Sequence, residues 1–281
     1  MRIIPLLAAL LFSSFGAPTS VHADDAEVHY RMALVHKRAG RLEEALAEAR
    51  AAFRARPRHA AAHFTAGTLL RQLGQLENAL GCFVHVTRLE PEHADAHGMV
   101  GAVLMRLRRY EEAIEPLRRA AELDPEQPNH WSNLGSAYRR VGRNSDAIDA
   151  LQQGLRRHPD DVGLLNNLAV AFRRERRNEE AIPLLQAAIQ TQPDQVELHH
   201  NLAIALRATE RWDEAIPHYT RARELGNTDR GLLFDLAVCY ENVGQTALAI
   251  ETYEAYVNAA ASADPAGAQA VRDTLSRLRQ R

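Results

Sequence analysis

Three asparagines stand 34 residues apart, at Asn133, Asn167 and Asn201. Three arginines keep the same step, at Arg139, Arg173 and Arg207, with Arg140 and Arg174 beside the first two. A side-chain amide both donates and accepts, so a row of amides can grip an extended main chain without reading its side chains. A guanidinium pairs with carboxylates through two parallel N–H groups, so a row of arginines suits an acidic peptide, a C-terminal carboxylate or an anionic polymer. A second role is open to each set: the asparagines can cap or solvate helices, and the arginines can offset the negative end of a helix dipole. Histidines share another 34-residue column at His29, His63, His97 and His199. His59 with His63, and His93 with His97, are four apart, a spacing that can put two imidazoles on one helical face as in a metal site. No carboxylate or cysteine completes that set, and His59 and His93 follow directly on turns, so no metal is expected. The sequence holds no nucleophile motif, no glycine-rich phosphate loop and no zinc-ligand cluster, and the chain is read as non-enzymatic, without a cofactor.

The spacing of these residues is the spacing of the whole chain. Prolines recur at Pro57, Pro91, Pro125, Pro159 and Pro193, and the next step falls on Asn227. A period of this size is the mark of stacked helical repeats. The register gives 26–59, 60–93, 94–127, 128–161, 162–195, 196–229 and 230–263. Within 128–161, Trp131, Leu134, Gly135 and Tyr138 form one helical stripe, and Ala147, Ile148, Leu151 and Leu155 a second one after a turn at Gly142. Repeat position 8 is only Gly or Ala (Ala33, Gly67, Gly101, Gly135, Ala169, Ala203, Ala237), and position 20 is Ala throughout, from Ala45 to Ala249. Small side chains at fixed positions let two helices cross closely, and large ones at positions 7, 11 and 24 fill the space between them.

These columns resemble the tetratricopeptide repeat family, whose signature runs W-x2-L-G-x2-Y, A-x3-F, A, P over 34 residues. The resemblance implies an all-α, right-handed superhelical solenoid of seven helix-turn-helix repeats. It also implies that the first helix of each pair lines a concave groove, with repeat positions 2, 5, 6, 9, 12 and 13 in it or at its edge. Asn133, Asn167 and Asn201 occupy position 6. Arg139, Arg173 and Arg207 occupy position 12, and Arg140 and Arg174 position 13. The asparagine ladder resembles the repeat superhelix of O-linked N-acetylglucosamine transferases, whose groove asparagines hold peptide main chain, although no residues remain here for a transferase domain. Chaperone-binding members carry Lys at position 5 and Asn at position 9. This chain does not, so binding of a chaperone C-terminal tail is not implied.

The chain opens with Arg2 and an apolar run from Ile3 to Phe15, then Val21-His22-Ala23 ahead of Asp24-Asp25. This is the pattern of a secretory signal peptide over residues 1–23. With it comes the expectation of an exported chain, periplasmic or secreted from a bacterium, with no transmembrane segment after cleavage. Thirty-four basic and 36 acidic residues leave a net charge of −2, which provides no global attraction to nucleic acid. Cys82 and Cys239 lie in distant repeats, beyond disulfide reach, and read as two buried structural thiols. Residues 264–281 read as a helix capping the stack, with Ala270, Val271, Leu275 and Leu278 on its apolar face. The function expected is a scaffold that holds an extended, acidic protein segment in its groove and aids assembly of an envelope complex. The alternatives are a binder of anionic polysaccharide in polysaccharide export and a non-catalytic subunit of an enzyme complex.

Overall fold

The computed structural model describes residues 19–260 and 264–280, and the side chains from residue 25 onward. Most of the signal-peptide segment therefore lies outside the described residues. The described chain is all-α, with no strand, and divides into two compact units, the first ending at Pro91 and the second beginning at Glu92. The first contains α1 (Thr19–Arg38), α2 (Leu42–Ala55), α3 (Ala60–Gln72) and α4 (Leu76–Leu89). The second contains α5 (Ala94–Arg106), α6 (Tyr110–Leu123), α7 (Pro128–Arg140), α8 (Asn144–Arg157), α9 (Val162–Arg174) and α10 (Asn178–Thr191). It continues with α11 (Val196–Ala208), α12 (Trp212–Glu224), α13 (Arg230–Asn242), α14 (Thr246–Ala260) and α15 (Pro265–Leu278). Each odd helix packs on the even helix that follows, as expected for helix-turn-helix repeats.

The small columns do what close packing requires. Every position-20 alanine from Ala45 to Ala249 has no exposed surface. A Cβ built on Gly135 would stand 2.5 Å from Cγ of Leu151, so the missing methyl is the space the leucine fills. Gly135→Ala is accordingly expected to cost about 1–3 kcal/mol by overpacking. It should lower the urea midpoint, and Leu151→Val in the same chain should restore part of the loss.

Turns between paired helices place one residue at positive φ. Gly142 serves in the fourth repeat, at φ 81°, but Arg108, Arg176 and Glu210 hold φ of 60–62° at the equivalent sites. A side chain in the left-handed region is strained by about 1–2 kcal/mol. Arg176→Gly is therefore expected to raise the urea midpoint, by up to about 1 kcal/mol after glycine's larger entropy loss. The even helices from α2 to α12 begin without a side-chain cap. At Arg143, Arg177 and Arg211 the guanidinium instead reaches the carboxylate three residues on, Asp146, Glu180 and Glu214, with Nε–O distances of 2.6–2.7 Å. Arg143 and Arg177 also lie over the rings of Tyr138 and Phe172, at 4.7 and 4.4 Å. These three arginines thus serve helix starts.

The histidine column has a packing role. Trp131 donates its Nε1–H to the carbonyl of Pro125 at 2.9 Å. His63 and His199 reach the carbonyls of Pro57 and Pro193 through Nε2 at 3.0 and 2.8 Å. A carbonyl only accepts, so both imidazoles carry their proton on Nε2 and stand in for the indole. Among the described residues no group of three His, Cys, Asp or Glu is placed to hold a metal ion.

Burial pushes His63, His130, His200 and His218 below the ordinary histidine pKa. The unfolded chain takes up these protons near pH 6.5, the folded chain only at lower pH. Stability from these groups is complete above that pH and is lost as pH falls below it. Urea midpoints are expected to decline between pH 7 and 5, before the Arg-paired Glu112, Glu180 and Glu214, whose pKa values are lowered, begin to protonate.

α15 packs on α14 through Val271, Leu275 and Leu278, and Ala268 rather than the expected Ala270 completes the buried face. Ala268 is three residues before Val271 and falls on its stripe, whereas Ala270 is rotated away. Cys239 is fully buried and its thiol is pushed up to about 12, first by burial. Cys82 corrects the expectation of two buried thiols, since it is only half-buried.

Candidate functional site

Within the second unit, α5, α7, α9 and α11 each touch the next odd helix, whereas the even helices make no comparable contact with one another. Closer approach on the odd side bends the stack toward that side and makes it the inner face. Arg139 and Arg140, Arg173 and Arg174, and Arg207 lie in the last turns of α7, α9 and α11.

The asparagines are tied into the stack. Asn167 donates from Nδ2 to Oγ of Ser132 on α7 at 2.8 Å, and Asn201 donates from Nδ2 to Oδ1 of Asn166 on α9 at 2.8 Å. Position 6 of one repeat thus reaches position 5 of the preceding one, and one N–H of each amide is spent holding neighbouring odd helices together. The side chain of Asn133, half-buried on α7, makes no hydrogen bond among the described residues.

The arginines differ along the row. Arg207 lies with Nε 3.3 Å from Oδ1 of Asp235 on α13, within ion-pair reach though not aligned as a hydrogen bond. Tyr219, fully buried on α12, donates its hydroxyl to the other oxygen of Asp235 at 3.1 Å. Burial works against the charge of Arg207, but Asp235 and Tyr219 outweigh it and raise its pKa. Burial also pushes the Asp235 carboxyl above its usual range, against the pull of Arg207. Arg173 donates from Nη1 to Oδ1 of Asn201 at 2.7 Å. Arg139 has no carboxylate within ion-pair distance and no hydrogen-bond partner for its buried Nε among the described residues. Its pKa is lowered first by burial, then by the charges of Arg174 and Arg140. Arg174 is exposed, and Arg140 lies over the ring of Tyr110 at 5.7 Å. Arg139, Arg140 and Arg174 thus repel one another at the α7–α9 junction, and none of them makes an ion pair among the described residues, a local condition that favours an anion.

All eight site residues expected from the sequence lie on odd helices of one unit. Asp235 was missed as a member of the row. The signal was present, since it stands in the asparagine column one repeat beyond Arg207.

A stack of paired helices with one polar inner face defines a helical-repeat interaction scaffold. Residues 20–233 match the family model described as the cilia and flagella-associated protein 70 C-terminal domain, and residues 232–261 match that of the tetratricopeptide repeat. The chain belongs to the first of these families, a tetratricopeptide-repeat domain by fold. No curated protein matches it. Among solved structures it is similar to YrrB, described as a TPR protein with an unusual peptide-binding site. That likeness is at 25% identity and a TM-score of 0.57, over 63% of this chain and 91% of that one. It is similar in fold to MamA of Desulfovibrio magneticus RS-1 at 23% identity and a TM-score of 0.57, over 61% and 97% of the two chains. It is also similar in fold to PilF of Pseudomonas aeruginosa at 18% identity and a TM-score of 0.63, over 76% and 96%. No helix among the described residues is long and apolar enough to cross a membrane.

Proposed function

We propose that this chain holds an extended, acidic segment of a partner protein against the inner face of α7, α9, α11 and α13. The observation that carries the reading is the α7–α9 junction, where half-buried Arg139 feels the charges of Arg174 and Arg140 and none of the three makes an ion pair among the described residues. A bound carboxylate would remove that repulsion and gain charge-assisted hydrogen bonds. Asn133, and the second N–H of Asn167 and Asn201, would hold the main chain beside it. The likeness to YrrB, whose structure is described by its peptide-binding site, supports a peptide as occupant. Export and a role in assembling an envelope complex belong to the proposal through Arg2, the apolar run and Ala23, and a mature N-terminus at Asp24 would support them. The direct experiment is titration of a labelled decapeptide of alternating glutamate and glycine against its glutamine counterpart. Binding of the first alone supports the reading, and equal binding of both contradicts it.

An anionic polysaccharide is the second reading. It is favoured by the hydrogen bonds that Asn167 and Asn201 already make within the stack, since a uronic-acid chain needs only the arginines. Oligogalacturonate binding that survives Asn167→Ala, with no glutamate-peptide binding, would select it.

A further inference from the structure

The inner face contains its own acidic occupant. The position-12 arginines of α7, α9 and α11 meet three different partners one repeat on. Arg207 meets a carboxylate, Asp235. Arg173 meets an amide oxygen, that of Asn201. Arg139 meets neither, although Asn167 stands at the corresponding place, with its Nδ2 donated to Ser132. We propose that Asp235 is a built-in counter-ion that withdraws Arg207 from ligand binding and confines the carboxylate-binding subsite to Arg139, Arg140 and Arg174.

Asp235 is a fitted occupant. One oxygen accepts from the hydroxyl of Tyr219, which burial fixes in place, and the other faces Arg207. The side chain is held from α12 and α11 at once, so it cannot swing aside without stranding a buried hydroxyl. The pair also shows how a carboxylate sits on a position-12 arginine of this face, and so what an acidic side chain of a ligand would do at Arg139. Asp235 then marks one end of the acidic footprint. A ligand residue reaching α11 and α13 meets a carboxylate already in place, so a neutral residue is selected there and an acidic one at the α7–α9 junction.

The inference rests on the reading of the face as a site for acidic segments, and four proteins separate the two. A fluorescein-labelled hexaglutamate peptide is titrated by anisotropy into the wild type, Arg139→Gln, Asp235→Asn and the double variant Arg207→Gln/Asp235→Asn. Asparagine can still accept from Tyr219, and circular dichroism checks the fold of each. Arg139→Gln is expected to weaken binding about tenfold or more, and Asp235→Asn to tighten it about tenfold by releasing Arg207. The double variant, which deletes the pair without leaving either charge stranded, should stay within about twofold of wild type. Loss in the double variant equal to that in Arg139→Gln would overturn the inference while leaving the reading intact. So would an unchanged affinity in Asp235→Asn. Binding by Asp235→Asn alone would overturn the inference, since the wild type would then have no subsite at Arg139, Arg140 and Arg174. Absence of binding by all four would overturn both.

Discussion

Arg139→Glu is expected to abolish capture of an acidic segment, with affinity for a glutamate-rich peptide falling by about a hundredfold or more. The change replaces a cation that lacks a counter-charge with an anion in the same half-buried place. Arg140 and Arg174 would then be neutralised from within, as Arg207 is by Asp235. The folded state should not suffer, since Arg139 donates to no other residue among those described and a carboxylate there would relieve the repulsion among the three cations. Thermal stability is therefore expected to hold or rise while binding is lost, which separates a binding role from a structural one. Arg143→Glu supplies the contrast. Arg143 starts α8 by pairing with Asp146 and lies over Tyr138, so its reversal should lower stability and leave peptide affinity within about twofold. Anisotropy titration and a melting curve on each variant check both statements.

Trp131→Ala is the substitution expected to damage the fold most, by about 3–5 kcal/mol. Its ring is buried and its Nε1–H satisfies the carbonyl of Pro125 in the loop before α7. Its Cβ closes on the place of Gly154 in α8, which Leu164 of α9 also approaches. One residue thus ties a repeat to its own second helix and to the loop before it. Truncation leaves a cavity and an unsatisfied carbonyl together. Trp131→His should recover a good part of the loss, because His63 and His199 already make the same contact to Pro57 and Pro193. Urea denaturation of the two variants beside the wild type measures the difference. Equal losses for alanine and histidine would refute the hydrogen-bonding role given to this column.

The helix pairs were legible because their packing depends on single residues at fixed spacing. An alanine at every position 20 and a Gly or Ala at every position 8 mean that helices cross there, whatever surrounds them. The inner face was less legible, because what Asn167, Asn201 and Arg207 do depends on residues in other repeats. Asn167 seeks Ser132 and Asn201 seeks Asn166, both 35 positions earlier, and Arg207 seeks Asp235, 28 positions later. A reading down one column shows three equal asparagines and three equal arginines. Only the side-chain geometry across columns shows that Asn133 and Arg139 differ from the rest. The histidines were ambiguous for a related reason, since a ring N–H that replaces an indole has the sequence spacing of a metal ligand. Their carbonyl partners lie six residues away, at the prolines that define the repeat.

The guanidinium resonances of the arginines test the central claim most directly. In the protein labelled with nitrogen-15 and carbon-13, addition of a glutamate-rich decapeptide is expected to shift Nε and Cζ of Arg139, with Arg140 and Arg174 following. Arg207, held by Asp235, should stay in place. A shift at Arg207 with Arg139 unmoved, or shifts confined to the even helices, would contradict the account.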